Sequence, residues 1–422
     1  MKIENNNFIR SDKFTTIEIY INLLKEFDYS KPYYPLLLSY ILNGSSENYP
    51  TKDKLSKKIY SLYNACLDIS IRSQYECQMT SLYISCLNPK YVNDNSLIHD
   101  CVELGYELLY KPFLNKNKDG FDENIFEEKK KRLIALIKNI YNDKYSYGRV
   151  KLLEKTRKEN ELPLTNPLDI KLIEDITNQE LYQYYLDLIN NSKIIVYAAG
   201  DIDKNQIEEE LNKFDFKSKN MEIPALYETK NFPIIKENRV EEIQNIAQAK
   251  LYMSFRTTIN YNDNECVALS IFNLMFGGMF TSSLSQNIRE KQSLVYGISS
   301  NYNSFRKLII VRSGNETSKS DHIISEVKKE LNNYQSAKIL DSQILLERAK
   351  ESLLFALKEI NDDPLERISN LALKSMLSTR TDDQLIKLIN EITIEDVIKV
   401  SKTIALDTIF ILRGEENEWN KD

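Results

Sequence analysis

The sequence predicts an α+β fold built from two tandem copies of one unit, and three observations carry that reading. An alternating apolar segment occurs early, Phe14 to Leu24, with Ile17, Ile19, Ile21 and Leu23 on one side, and the pattern restarts at Ala249, Leu251, Met253 and Phe255. A period of two is that of a half-buried strand. Two longer segments then echo each other in the same order. LSKKIYSLYNACLDIS (Leu55 to Ser70) aligns without gaps on LSQNIREKQSLVYGIS (Leu284 to Ser299), with identities at the core-facing Leu and Ile of a helix and the Ile of a strand. IEDITNQELYQYYLDLINNSKIIVYAAGD (Ile173 to Asp201) parallels INEITIEDVIKVSKTIALDTIFILRGE (Ile389 to Glu415) with a two-residue gap. Between the copies, Phe216 to Glu241 holds Pro224 and Pro233 among Lys, Asn and Glu with no sustained period, as a linker does. The expected organisation is an N-terminal half over residues 1–215, a linker over 216–241 and a C-terminal half over 242–422.

The elements follow in order. After the first strand, a short helix crosses Pro35 to Leu42 and stops at Gly44. Thr51 opens a helix with Leu55, Ile59 and Leu62 on one face. Strands are expected over Cys66 to Arg72 and Cys77 to Leu87, turning through Ser73 to Glu76. Helices should cover Ser96 to Tyr110, Asn124 to Tyr141 and Val150 to Glu159, and Thr177 with Glu180 forms a capping box for another. Ile194 to Ala198 is a continuous apolar strand ending at Gly200. In the second copy, Leu346, Ala349, Leu353, Leu357 and Ile360 make a helical stripe, and Asp363-Pro364 opens the next helix with Pro at its first position.

Bulk properties exclude several classes. At 422 residues and 42% hydrophobic content the chain can bury more than one core, and 10 glycines and 10 prolines argue against fibrous or disordered character. The formal charge of -6 is mild and the lysine runs are interleaved with Asp and Glu, so no nucleic-acid footprint is expected. No apolar run approaches the length of about 18 residues needed to cross a membrane. The first residues, MKIENNNFIRSDK, lack the apolar core of a secretory signal. Five cysteines, an odd number without CxxC spacing, read as free buried thiols in a reducing compartment, and the cytoplasm is the expected location. Asn115, Asn117, Asp119 and Gly120 mimic the start of a calcium loop, but Phe126 stands where a bidentate Glu is required. There is no phosphate loop, dinucleotide fingerprint or nucleophile elbow.

The stretch Phe272 to Ser300, FNLMFGGMFTSSLSQNIREKQSLVYGISS, is the most specific in the chain. It reads as a helix, a Gly277-Gly278 stop in left-handed backbone, a second helix capped by Ser282 or Ser283 with Leu284 and Ile288 on one face, then a strand from Val295. Arg289 lies on the helix and Tyr296 at the start of the strand. This stretch resembles the C-terminal halves of the pitrilysin/insulinase family of zinc peptidases. The resemblance implies two homologous α+β halves, each a mostly antiparallel sheet packed by helices. It also implies that Arg289 and Tyr296 help to hold a peptide substrate and its transition state.

In that family the N-terminal half carries an inverted zinc motif on its first helix: two His, with a Glu as general base beside the second, and a distant Glu as third ligand. Counted back from Gly44, the five motif positions here read Pro35, Leu36, Leu37, Leu38 and Ser39, and Leu38 stands where the base would be. From Lys129 to Asn142, where the distant carboxylate would fall, there is no Asp or Glu. The chain has only two histidines, His99 and His322, both read as solvated on amphipathic helices. No metal or other cofactor is therefore expected on this chain, and no activity of the chain alone. The resemblance points to the zinc-less subunit of a bacterial two-gene pair, lending Arg289 and Tyr296 to the zinc site of a homologous partner for peptide processing. The alternative is a catalytically inert peptide-binding or scaffold protein of the same fold.

Overall fold

The computed structural model describes residues 2–156, 163, 165–231, 236–377 and 379–414. Three expectations, Glu159 at a helix end, Pro233 in the linker and Glu415 at the end of the second echo, lie outside the described residues.

Among the described residues the strands form two five-stranded sheets. The first contains β1 (Phe8–Arg10), β2 (Thr16–Glu26), β3 (Cys66–Gln74), β4 (Cys77–Leu87) and β5 (Lys193–Gly200), in the order β1-β5-β2-β4-β3. The second contains β6 (Asn238–Ile243), β7 (Ala249–Arg256), β8 (Val295–Asn303), β9 (Leu308–Asn315) and β10 (Ala405–Arg413), in the order β6-β10-β7-β9-β8. The two orders are the same once each strand is matched to its counterpart. In both sheets the short first strand runs parallel to the last, and the other pairings are antiparallel. A shared non-trivial strand order in two consecutive stretches of one chain is the structural form of the sequence echo. The echo extends to helix starts. Thr177 makes a full capping box with Glu180 ahead of the Asn178–Asn191 helix, and Thr393 makes one with Asp396 ahead of the Ile394–Ser401 helix.

The chain divides into two compact units. One gathers residues 1–138, 169–226 and 359–379, and the other 139–168, 227–358 and 380–422. This is not a division at a single point. The Lys144–Lys155 helix belongs with the second sheet and the Pro364–Leu377 helix with the first. The exchange explains a departure from expectation. The first strand was expected to be half-buried, yet Ile17 through Leu24 are all buried. Ile19 and Ile21 pair with Ile84 and Leu82, onto which the Leu97–Tyr110 helix packs so closely that a Cβ on Gly105 would lie 2.8 Å from Ile84 Cδ1. Tyr20 and Tyr83, on the opposite face, pack with Tyr197, Ile368 and Ala372. The alternating pattern thus separates two buried faces, not a dry face from a wet one. Glu18 sits on that second face, 2% exposed, accepting hydrogen bonds from the Tyr83 and Ser85 hydroxyls.

The second sheet is likewise covered twice. Leu251, Met253 and Phe255 enter the main core of that unit. On the other face, Tyr252 lies against Gly148, where a Cβ would come within 2.4 Å of its ring, and the Tyr252 hydroxyl donates to the Tyr145 carbonyl at 2.6 Å. That helix starts at Lys144, earlier than periodicity suggests, because the Asp143 side chain accepts from the Tyr145 N–H and caps it. Residues 238–241, read as the end of an aperiodic segment, open β6, whose burial alternates along its length. Of the five cysteines four are buried as expected, while Cys66 is exposed.

Candidate functional site

The Glu265–Asn273 helix does not stop at the glycine pair. It widens into a π-helical turn over Leu274–Gly278, and a second π-helical segment covers Ser285–Glu290. Neither glycine has a positive φ; Gly200 is the one glycine that does among the described residues. The expectation of a left-handed stop is corrected by packing. A Cβ on Gly277 would lie 2.7 Å from Ser300 Oγ and 2.9 Å from Leu284 Cδ1, so glycine is needed for close approach. Ser300 Oγ donates to Asn273 Oδ1 at 2.8 Å, pinning β8 to the helix end. The serines do not cap the second segment with their side chains. Ser283 shares a 2.8 Å hydrogen bond with the Tyr334 hydroxyl, and the buried Ser282 hydroxyl has no partner among the described residues. Leu284 and Ile288 are both fully buried, as their spacing predicts.

This framework positions Arg289 and Tyr296. The Arg289 guanidinium lies over the exposed Phe280 ring, 5.2 Å from its centroid, with Glu290 Oε1 at 3.4 Å. Tyr296 occupies a bulge. Val295 pairs with Asn315 and Gly297 with Gly314, leaving Tyr296 without an opposite residue, and it is 62% exposed. A bulge re-aims a side chain and twists its strand, which accounts for an exposed tyrosine directly after the buried Val295. Arg289 and Tyr296 make no hydrogen bond or ring contact with each other; both reach outward from the same segment. β8 is the outermost strand of its sheet. Gly297 is exposed, and a Cβ built there would meet nothing within 4 Å. No contact among the described residues demands glycine at that position.

The positions expected to hold the degenerate motif fall on the Tyr34–Leu42 helix. Pro35, Leu38 and Ser39 are all buried, Leu38 completely. Ser39 Oγ donates back to the Leu36 carbonyl at 2.9 Å. These residues do not fit a zinc ion: two are hydrocarbon and the third spends its hydrogen on the helix backbone. The Glu123–Asn142 helix turns Leu133 and Ile137 inward, where a distant carboxylate would be needed. The other ligand types lie elsewhere. His99, Asp100 and Glu103 bring one ligand atom each within 4.8 Å of one another on the Leu97–Tyr110 helix. His99 is not simply solvated. Its Nδ1 is 2.9 Å from Glu210 Oε2 and its ring stacks on Phe214.

One residue escaped the sequence reading. Asn43, which follows the Tyr34–Leu42 helix, donates from Nδ2 to the Ile69 carbonyl at 2.8 Å and accepts on Oδ1 from the Ile69 N–H at 2.8 Å. Ile69 lies on β3, the outermost strand of the first sheet. The carboxamide stands where a further strand would pair, so the edge beside the degenerate motif is occupied at its middle. A polar residue at a helix end carries no sequence signal for this role beyond its type.

Residues 175–353 match the family model described as the peptidase M16 inactive domain. The chain is 26% identical over 419 residues to the probable inactive metalloprotease YmfF of Bacillus subtilis (strain 168), covering 97% of this chain and 96% of that protein. Among solved structures it is similar to a conserved protein from Enterococcus faecalis V583, with a TM-score of 0.89, 24% identity and coverage of 97% and 96%. It is also similar to a peptidase M16 inactive domain from Pseudomonas fluorescens, with a TM-score of 0.75, 15% identity and coverage of 98% and 97%.

Proposed function

Since this chain belongs to the pitrilysin-like peptidase family, M16, we propose that it is the zinc-less subunit of a two-chain metallopeptidase. In this reading its N-terminal half has lost the metal site, and its C-terminal half supplies Arg289 and Tyr296 to the zinc site of a homologous partner. The observation that carries the reading is the bulge at Tyr296. A packing tyrosine has no need to be lifted out of the ladder, whereas a phenol hydroxyl that must reach a developing oxyanion does. Arg289, held over Phe280, offers a guanidinium fork for a peptide carbonyl or carboxylate. The buried hydrocarbon at Pro35 and Leu38 supports the same division of labour, because this half offers no metal-held water beside which oxyanion donors could act. The name of the Bacillus subtilis relative, a probable inactive metalloprotease, is in keeping with it.

The test is reconstitution. Each chain is assayed alone and in a mixture with a homologue bearing the zinc motif. Activity only in the mixture, lowered about 10²-fold by Tyr296→Phe, is the expected result for an oxyanion donor. Full turnover in that variant leaves Tyr296 without a catalytic role.

The exposed, glycine-bearing edge of β8 favours a second reading, an inert peptide-binding or scaffold protein. An extended peptide could pair along this edge, with Gly297 leaving room for its backbone. A stable complex that hydrolyses no peptide, and peptide binding weakened by Arg289→Ala, would select this reading.

A further inference from the structure

A cavity of about 650 Å³ opens in the second unit between the Ser285–Glu290 segment, the Ser320–Gln335 helix and the start of the Ser342–Ile360 helix. Neither Arg289 nor Tyr296 lines it. Its lining carries charges of both signs. Glu330 is 6% exposed. Its Oε1 accepts from Asn287 Nδ2 at 3.0 Å and Asn333 Nδ2 at 3.4 Å. Its Oε2 has no hydrogen-bond partner among the described residues, and Glu330 lines the cavity. Glu330 forms no ion pair with any described residue. Nearby Glu326 is also buried but is neutralised by Lys329, at 3.0 Å.

A buried carboxylate without a cation is costly, because the desolvation penalty is repaid only by a close opposite charge or a full set of hydrogen bonds. Burial accordingly raises the proton affinity of Glu330 above that of an ordinary carboxylate. Two neutral amides orient one oxygen and leave the other for an incoming donor. The rim carries mainly positive charge, with Lys291, Lys338 and Arg348 beside the single carboxylate of Asp341. Lys338 and Arg348 are exposed and make no ion pair with any described residue, and Ile339 and Leu345 line the wall.

We propose that this cavity binds a zwitterion: a primary ammonium seated on Glu330 Oε2, an apolar stem along Ile339 and Leu345, and a carboxylate held by Lys338 and Arg348. A plain cation would leave the rim charges unmatched, and a plain anion would meet the carboxylate at the floor. Lysine-like molecules have this chemistry whether free or carried on a peptide chain beside an acidic residue.

Calorimetric titration of the full chain with 6-aminohexanoic acid tests it. Saturable binding is expected, weakened at least tenfold by Glu330→Gln, which keeps the shape and one acceptor for the asparagines. Arg348→Ala, on the exposed rim where folding is not at risk, should weaken binding several-fold. Hexanoic acid and n-butylamine should each bind far more weakly. Binding unchanged in Glu330→Gln, or equal binding of hexanoic acid, overturns the assignment. So does the absence of any heat with 6-aminohexanoic acid. Competition by free L-lysine alone assigns a small-molecule site. Competition by an N-acetylated, C-amidated peptide with one Lys-Asp pair assigns a chain-borne lysine. Competition by neither refutes the proposal.

Discussion

The carboxamide of Asn43 mimics one residue of a β-strand, bonding both the N–H and the C=O of Ile69 at 2.8 Å. It does so on the outermost strand of the first sheet, next to the helix that carries Leu38. Asn43→Ala removes two half-buried hydrogen bonds and is expected to cost about 1–3 kcal/mol, read as a lower urea midpoint at unchanged slope. It also frees an edge, so concentration-dependent self-association by light scattering should rise. A variant as stable and as monomeric as the parent would leave the pairing without consequence.

Two glycines of the most specific stretch should respond in opposite ways. Gly277→Ala forces a Cβ to within 2.7 Å of Ser300 Oγ and 2.9 Å of Leu284 Cδ1, in a core without slack. Overpacking of this kind costs about 1–3 kcal/mol. Gly297→Ala meets nothing within 4 Å and should leave thermal stability unchanged or slightly raised. If Gly297→Ala instead weakens peptide binding or turnover at full stability, its role lies in what approaches β8 from outside.

Glu18 gives the first unit a pH dependence. Burial raises its pKa above the usual carboxylate value, outweighing the lowering by its Thr16, Tyr83 and Ser85 hydrogen bonds. A group whose folded pKa lies above its unfolded one binds protons more tightly when folded. Its stabilising contribution is complete below the unfolded carboxylate range and is lost as pH rises through the raised folded value. Glu18→Gln should therefore flatten the decline in stability from the mildly acid range upward, compared by urea unfolding at several pH values. An identical slope in parent and variant would show that Glu18 does not titrate differently on folding.

Sequence and structure agree most closely where periodicity and local chemistry decide the outcome. Thr51, Thr177 and Pro364 start helices where the sequence places them, because a capping hydroxyl or a proline acts within one turn. The echo of Leu55–Ser70 in Leu284–Ser299 is legible because Leu55, Leu284 and Ile288 must be apolar in each copy. Long-range cover is what the sequence hides. Nothing in TTIEIYINLL distinguishes a face bathed in water from one packed by a helix more than 340 positions later, since tyrosine suits both. The π-helical turns at Leu274–Gly278 and Ser285–Glu290 are similarly hidden, because glycine pairs usually announce a helix end. Of the candidate site, residue types were legible while their setting was not. A strand tyrosine next to a glycine looks like any other until the pairing of Val295 with Asn315 and Gly297 with Gly314 shows it displaced.

The exchanged helices impose a timetable on biosynthesis. The face of the first sheet bearing Tyr20, Tyr83 and Tyr197 is closed by Ile368 and Ala372. A ribosome adding about 5–20 residues per second must therefore proceed far beyond β5 before that face can be covered. The tyrosine face of the nascent first sheet stays open for tens of seconds at the slower end of that range. A gene fragment ending near residue 226 would encode all the strands of this sheet and still yield a polypeptide prone to clumping.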